Sequence, residues 1–116
     1  MPDPLKPGRE HTITAAEAAE LTQRHRERAT AAGTTPADDG ALGGLFDKAA
    51  VLKLLEHGNA TYLRYYHARS VDGQRTVVLV AADVDGNDLL DGGAQTLDQH
   101  WPCPPYCPEA ASILRG

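Results

Sequence analysis

TYLRYYHARSVDGQRTVVLVAADVDGNDLL, residues 61–90, is where the chain changes from a helical to an alternating period. Residues 61–70 place Tyr62, Arg64, Tyr66 and Ala68 on one face and Leu63, Tyr65, His67 and Arg69 on the other, the period of a strand. Both faces are mixed, so one packs on the rest of the domain and the other is partly covered. Val71-Asp72-Gly73-Gln74 reads as a hairpin turn, with glycine supplying a positive φ. Residues 75–83 form the second strand. Its run Val77-Val78-Leu79-Val80-Ala81 is apolar on both faces, which marks it as central. A further turn at Asp85-Gly86-Asn87 leads to a short third strand over 88–90, completing an antiparallel meander.

Two helices precede the meander. Thr14-Ala15-Ala16-Glu17 is a capping box, in which hydroxyl and carboxylate satisfy backbone donors at a helix start. The helix it opens runs over residues 14–32, ends at Gly33 in a left-handed conformation, and offers Ala18, Leu21, Thr22, His25 and Ala29 as its inner face. Residues 33–45 hold four glycines, Pro36 and the pair Asp38 and Asp39, and read as a mobile loop with solvated carboxylates. Asp47 is the N-cap of a second helix reaching His57, with Phe46 stapled onto Val51, Ala50, Val51, Leu54 and Leu55 inward, and Gly58 at C′. The fold class is α+β: two helices packed on a small three-stranded antiparallel meander, with a rigid proline-rich C-terminal tail. The uncovered sheet face is the place for a second copy of the chain.

The boundaries follow from composition. Residues 1–11 carry three prolines and no apolar period, and form an extended arm; 12–100 make one α+β domain; 101–116 are a tail packed on that domain or on a neighbouring subunit. A chain of 116 residues that is 41% apolar, much of it alanine, and 5% aromatic builds a thin core, and self-association would compensate. Net charge is −5, and the basic residues are scattered apart from Arg24, Arg26 and Arg28. That disfavours nucleic acid, which needs a concentrated basic face. The first ten residues, MPDPLKPGRE, have no apolar h-region, and no apolar run approaches the roughly 18 residues of a membrane span. The expectation is a cytoplasmic protein, and the alanine, arginine, glycine and aspartate bias points to a bacterial gene.

The tail gathers both cysteines and the only tryptophan in His100-Trp101-Pro102-Cys103-Pro104-Pro105-Tyr106-Cys107-Pro108. A fully extended polyproline segment would hold the two cysteine Cα atoms about 12 Å apart, and a disulfide requires a turn that brings them within about 7 Å. Three readings stand together: a disulfide or redox pair, two buried thiols, or metal ligation by Cys103 and Cys107 with His100 and His67. C-x3-C is not the C-x2-C of a thioredoxin-like dithiol, and one nearby histidine makes an incomplete tetrahedral site. Asp83, Asp85, Asn87, Asp88 and Asp91 lack the glycine and glutamate positions of a calcium-binding EF-hand, so a plain turn is preferred. His25 reads as a packed histidine, and His57 as a group favoured by a helix C-terminus. There is no nucleophile elbow and no phosphate loop.

The run from Phe46 through the hairpin to Pro-Cys-Pro-Pro-Tyr-Cys-Pro resembles a group of small uncharacterised bacterial proteins that pair a helix and a short meander with a closing CPPYC or CPPFC motif. The likeness covers roughly residues 12–110, is distinctive only in that motif, and brings no activity with it. The functional expectation is a non-enzymatic interaction or structural module, a homo-oligomer or a docking surface for a protein partner. Trp101, Tyr106, Tyr62 and Tyr66 are its interaction residues, and it uses no cofactor. The alternative is a metal-binding or thiol-redox protein using Cys103 and Cys107. An enzyme with a site near Tyr65, His67 and the C-terminal turn is the third and least favoured reading.

Overall fold

Seven elements make up the described part of the chain: α1 (Ala15–Ala31), β1 (Gly43–Leu45), α2 (Lys48–Leu55), β2 (Tyr62–Arg69), β3 (Arg75–Ala82), β4 (Thr96–Leu97) and β5 (Trp101–Cys103). The structure, a computed structural model, describes residues 4–31, 33, 42–90, 96–97 and 100–114. The fold is α+β, with an antiparallel sheet in the order β2-β3-β4 and a separate two-stranded ribbon of β1 and β5. Among the described residues no helix is long and apolar enough to cross a membrane. Two compact units can be distinguished: Met1–Glu10, Phe46–Ala68 and Val77–Gln99 in the first; His11–Leu45, Arg69–Thr76 and His100–Gly116 in the second.

In the first unit β3 is the central strand, and its side chains explain why. Leu79, Val80, Ala81 and Ala82 are buried in succession, which alternating side chains achieve only when both sheet faces are covered. Leu54 of α2 packs with Leu79, Ala81 and Leu89, and Phe46, Val51, Ala60, Val77 and Leu97 close around them. Asp47 caps α2 by accepting from the amide of Ala50 at 3.4 Å. The helix stops at Leu55 with Glu56 as its C-cap, short of the expected His57. Gly58 is not a left-handed C′ residue: His57 turns the chain instead, its carbonyl accepting from the Ala60 amide and its Nδ1 from the Asn59 amide.

The third strand lies further along than the sequence suggested. Asp88 makes a single bridge to Ala82, and the sheet continues where Leu97 and Thr96 pair with Leu79 and Val80. Leu89 keeps one bond to β3, its amide donating to the Ala81 carbonyl at 2.9 Å, and its side chain packs in the core with Leu54.

The two turns repeat one device. Ser70-Val71-Asp72-Gly73-Gln74 and Asp83-Val84-Asp85-Gly86-Asn87 each hold a glycine at φ +84 or +85. In each, the first residue's carbonyl accepts from the glycine amide, and its own amide donates to the carbonyl of the fifth residue. The first side chain then caps the loop: Ser70 Oγ accepts from Gln74, and Asp83 Oδ1 accepts from both Asp85 and Asn87. This accounts for the acidic string at 83–88 as turn chemistry.

In the second unit Thr14 opens α1 by accepting from the Glu17 amide at 3.1 Å. Its hydroxyl donates to the Glu17 carboxylate, a variant of the capping box in which the acid holds the hydroxyl. Gly33 ends the helix at φ +79, donating to the Thr30 carbonyl. The partly buried stripe of α1 is Ala18, Ala19, Thr22, Arg26 and Ala29. Leu21 and His25 are exposed instead. Part of the expected loop is the strand β1, in register with β5: Gly43 opposite Cys103, Gly44 opposite Pro102, Leu45 opposite Trp101. Asp38 and Asp39 lie outside the described residues, as do Ala32 and Asp91.

Candidate disulfide-lined groove

The second unit carries the more developed site. Cys103 is the last residue of β5, and its carbonyl accepts from the Leu42 amide at 3.3 Å, prolonging the ribbon. Past it the chain folds back, with Cys103-Pro104 and Pro104-Pro105 both cis. The Tyr106 amide donates to the Pro102 carbonyl at 2.8 Å. The Cys103 and Cys107 Cα atoms stand 4.7 Å apart with their sulfurs at disulfide distance, so the cysteine pair is joined across the turn.

Gly44 of β1 lies close against His100 because it has no side chain. A Cβ at Gly44 would collide with the imidazole of His100. That ring is held at its other end by the Thr76 hydroxyl, 2.6 Å from Nδ1. On the opposite face of the ribbon, Leu45 and Trp101 form a cross-strand pair.

Between α1, β1 and the disulfide turn runs an open groove of about 590 Å³. Leu21, Leu42, Leu45, Tyr106, Pro108 and Leu114 give it apolar walls, and Cys103 and Cys107 both line it. Its polar edge is α1, through Thr22, His25 and Arg26. Arg26 donates to the Leu114 carbonyl at 3.0 Å, which holds its guanidinium beside Leu114. The groove falls within the 300–1,000 Å³ range of small-molecule sites and has their apolar character.

The residues singled out from the sequence divide between the units. Cys103, Cys107, His100, Trp101 and Tyr106 share the second unit, and Trp101 and Tyr106 are about half exposed. His67, Tyr62 and Tyr66 belong to the first unit. His67 meets Tyr65 edge-on at 5.5 Å. Tyr62 is half-buried, and its hydroxyl is buried with no hydrogen-bond partner. Among the described residues no three histidine, cysteine or acidic side chains are grouped as a metal would need.

Tyr66 donates to the Asp88 carboxylate, and Arg64 donates to the same carboxylate at 2.6 Å and to the Gly86 carbonyl at 2.7 Å. The Tyr66 hydrogen bond and then the guanidinium hold the Asp88 carboxyl below the ordinary aspartate value. The same bond to Asp88 raises the Tyr66 phenol. The triad ties β2 to the second turn and makes Tyr66 as much a structural residue as a surface one.

Sequence reasoning did not reach Gly44 or Leu45, and it named Leu21 and Arg26 only as a helix-face residue and a clustered basic residue, not as parts of a site. The only local signal was the Gly43-Gly44 pair, which reads as loop until its partner strand is known. No protein-family model, curated protein or solved structure matches the chain.

Proposed function

We propose that the chain is a non-enzymatic interaction module that acts as a homo-oligomer in the cytoplasm, its partner being a second copy of itself. The observation that carries this reading is the balance of apolar surface. Among the described residues, large apolar side chains left exposed, including Leu21, Leu45, Leu52, Leu63, Tyr65, Leu90, Trp101 and Tyr106, outnumber those buried. The buried set is confined to Leu54, Leu79, Val80, Ala81, Ala82, Leu89 and Cys103. Exposed apolar area of this extent favours association once the ordering cost is met. A homotypic contact covers it without requiring any other chain. Leu63 and Tyr65, on one face of β2, supply such a surface in the first unit; Trp101 supplies it in the second.

Light scattering and native mass spectrometry of the untagged protein test this. The expected result is a multiple of the 12.4 kDa chain mass that Trp101→Asp or Tyr65→Asp shifts toward the single chain. A monomer at every concentration up to several hundred micromolar overturns the proposal.

A further inference from the structure

We propose that the Cys103–Cys107 disulfide is an exchange site for thiols that carry an apolar body, with the groove as the seat of that body. Three observations converge on it. Both cysteines line the groove, whose walls are the apolar side chains of Leu21, Leu45, Leu114 and Tyr106. The two residues differ in access: Cys103 is 7% exposed, whereas Cys107 is half-buried. An incoming thiolate therefore meets the sulfur of Cys107, and Cys103 is the leaving group.

The third observation is that the turn does not depend on the sulfur bond. Pairing of β5 with β1, the Leu42 to Cys103 hydrogen bond and the Tyr106 to Pro102 hydrogen bond all hold the chain in place. After reduction the two thiols remain neighbours, and bond formation between groups already held together is strongly favoured. A disulfide spanning four residues closes a small loop, which restrains the unfolded chain less than a long-range disulfide does. In the cytoplasmic setting proposed above, disulfides are characteristically transient and exchange-active.

The exchange balances as follows. A thiolate RS⁻ attacks Sγ of Cys107, forming Cys107–S–S–R and breaking the bond to Cys103, which departs as thiolate. A second RS⁻ attacks the R-bearing sulfur, releasing RSSR and the Cys107 thiolate. The protein gains two electrons, and two protons from solvent; the two thiols lose the two electrons. Run backwards, the dithiol reduces an apolar disulfide.

The experiment uses the full oxidised chain with two aliphatic thiols, 2-phenylethanethiol and 2-mercaptoethanol. Each reaction is quenched with acid, alkylated and read by mass spectrometry, with rates expressed per thiolate. The expected result is a preference for the phenyl compound of at least about tenfold, the discrimination that a few apolar contacts supply. Leu21→Ala and Leu45→Ala, both at exposed positions, should bring that preference down toward unity. With bis(2-phenylethyl) disulfide, Cys103→Ser should form a lasting adduct on Cys107, and Cys107→Ser should react far more slowly. Equal rates for the two thiols, or a disulfide that opens only on denaturation, overturn the proposal.

Discussion

The imidazole of His100 occupies the space that a side chain at Gly44 would need, so β1 pairs with β5 as it does with a glycine at this position. Gly44→Ala should therefore destabilise the second unit by about 1–3 kcal/mol, the usual cost of overpacking a filled site. Chemical denaturation measures it. In a His100→Ala background the obstacle is gone and the same substitution should be close to neutral, so the pair should be non-additive. Equal costs in the two backgrounds would contradict the packing described.

The two turns give a matched comparison. Asp83 Oδ1 accepts from two backbone amides, Ser70 Oγ from one. Asp83→Ala should cost about 1–2 kcal/mol and Ser70→Ala about half of that, by the measure of lost caps and unpaired amides. Gly86→Ala should cost more than Gly73→Ala, although both glycines have the same left-handed φ. At Gly86 the added methyl also meets Leu5, 2.9 Å away, whereas nothing lies within 4 Å at Gly73. Thermal melts of the four variants decide both orderings.

What was legible in the sequence follows how local each cause is. The β2 and β3 strands, the Asp47 and Thr14 caps, and the glycines at 33, 73 and 86 are each dictated by a few adjacent residues, and the structure has them where the sequence put them. β1 was not legible, because Gly-Gly-Leu has no strand propensity of its own and owes its conformation to a partner at the far end of the chain. β4 is two residues long, too short to show a period, and the more regular 88–90 segment stood in for it. Of the expected inner face of α1, Ala18, Thr22 and Ala29 are partly buried whereas Leu21 and His25 are exposed, because alanine, threonine and arginine distinguish faces weakly. For the candidate site, the cysteine pair announced itself by composition. The groove beside it did not, since its walls come from segments far apart in sequence.

Leu54 is the side chain through which α2 reaches the sheet, and Leu52 on the same helix is half exposed. Leu54→Ala should cost about 2–5 kcal/mol, combining lost transfer energy with a cavity beneath Leu79 and Leu89. Leu52→Ala should change the folding stability of the single chain by no more than about 0.5 kcal/mol. If Leu52→Ala instead weakens the protein in a concentration-dependent way, with no change at the lowest concentrations, Leu52 lies in the contact between copies.

Stability should carry two pH limbs that meet at Asp88. Its carboxyl is held below the ordinary value by Tyr66 and then by Arg64. Its contribution is therefore complete above the ordinary carboxylate range and fades as pH falls through the lowered value. The Tyr66 phenol is raised by the same hydrogen bond, so its contribution is complete below the ordinary tyrosine range and fades as pH rises through the raised value. Asp88→Asn removes the charge both limbs depend on. Denaturation midpoints of the variant should lose most of the difference between neutral and strongly acidic pH that Asp88 supplies. Spectrophotometric titration, with Tyr66→Phe identifying the residue, should show Tyr66 ionising at lower pH in Asp88→Asn than in the parent chain. An unchanged Tyr66 titration would mean that its hydroxyl does not rest on Asp88 in solution, and the alkaline limb would then have to come from another group.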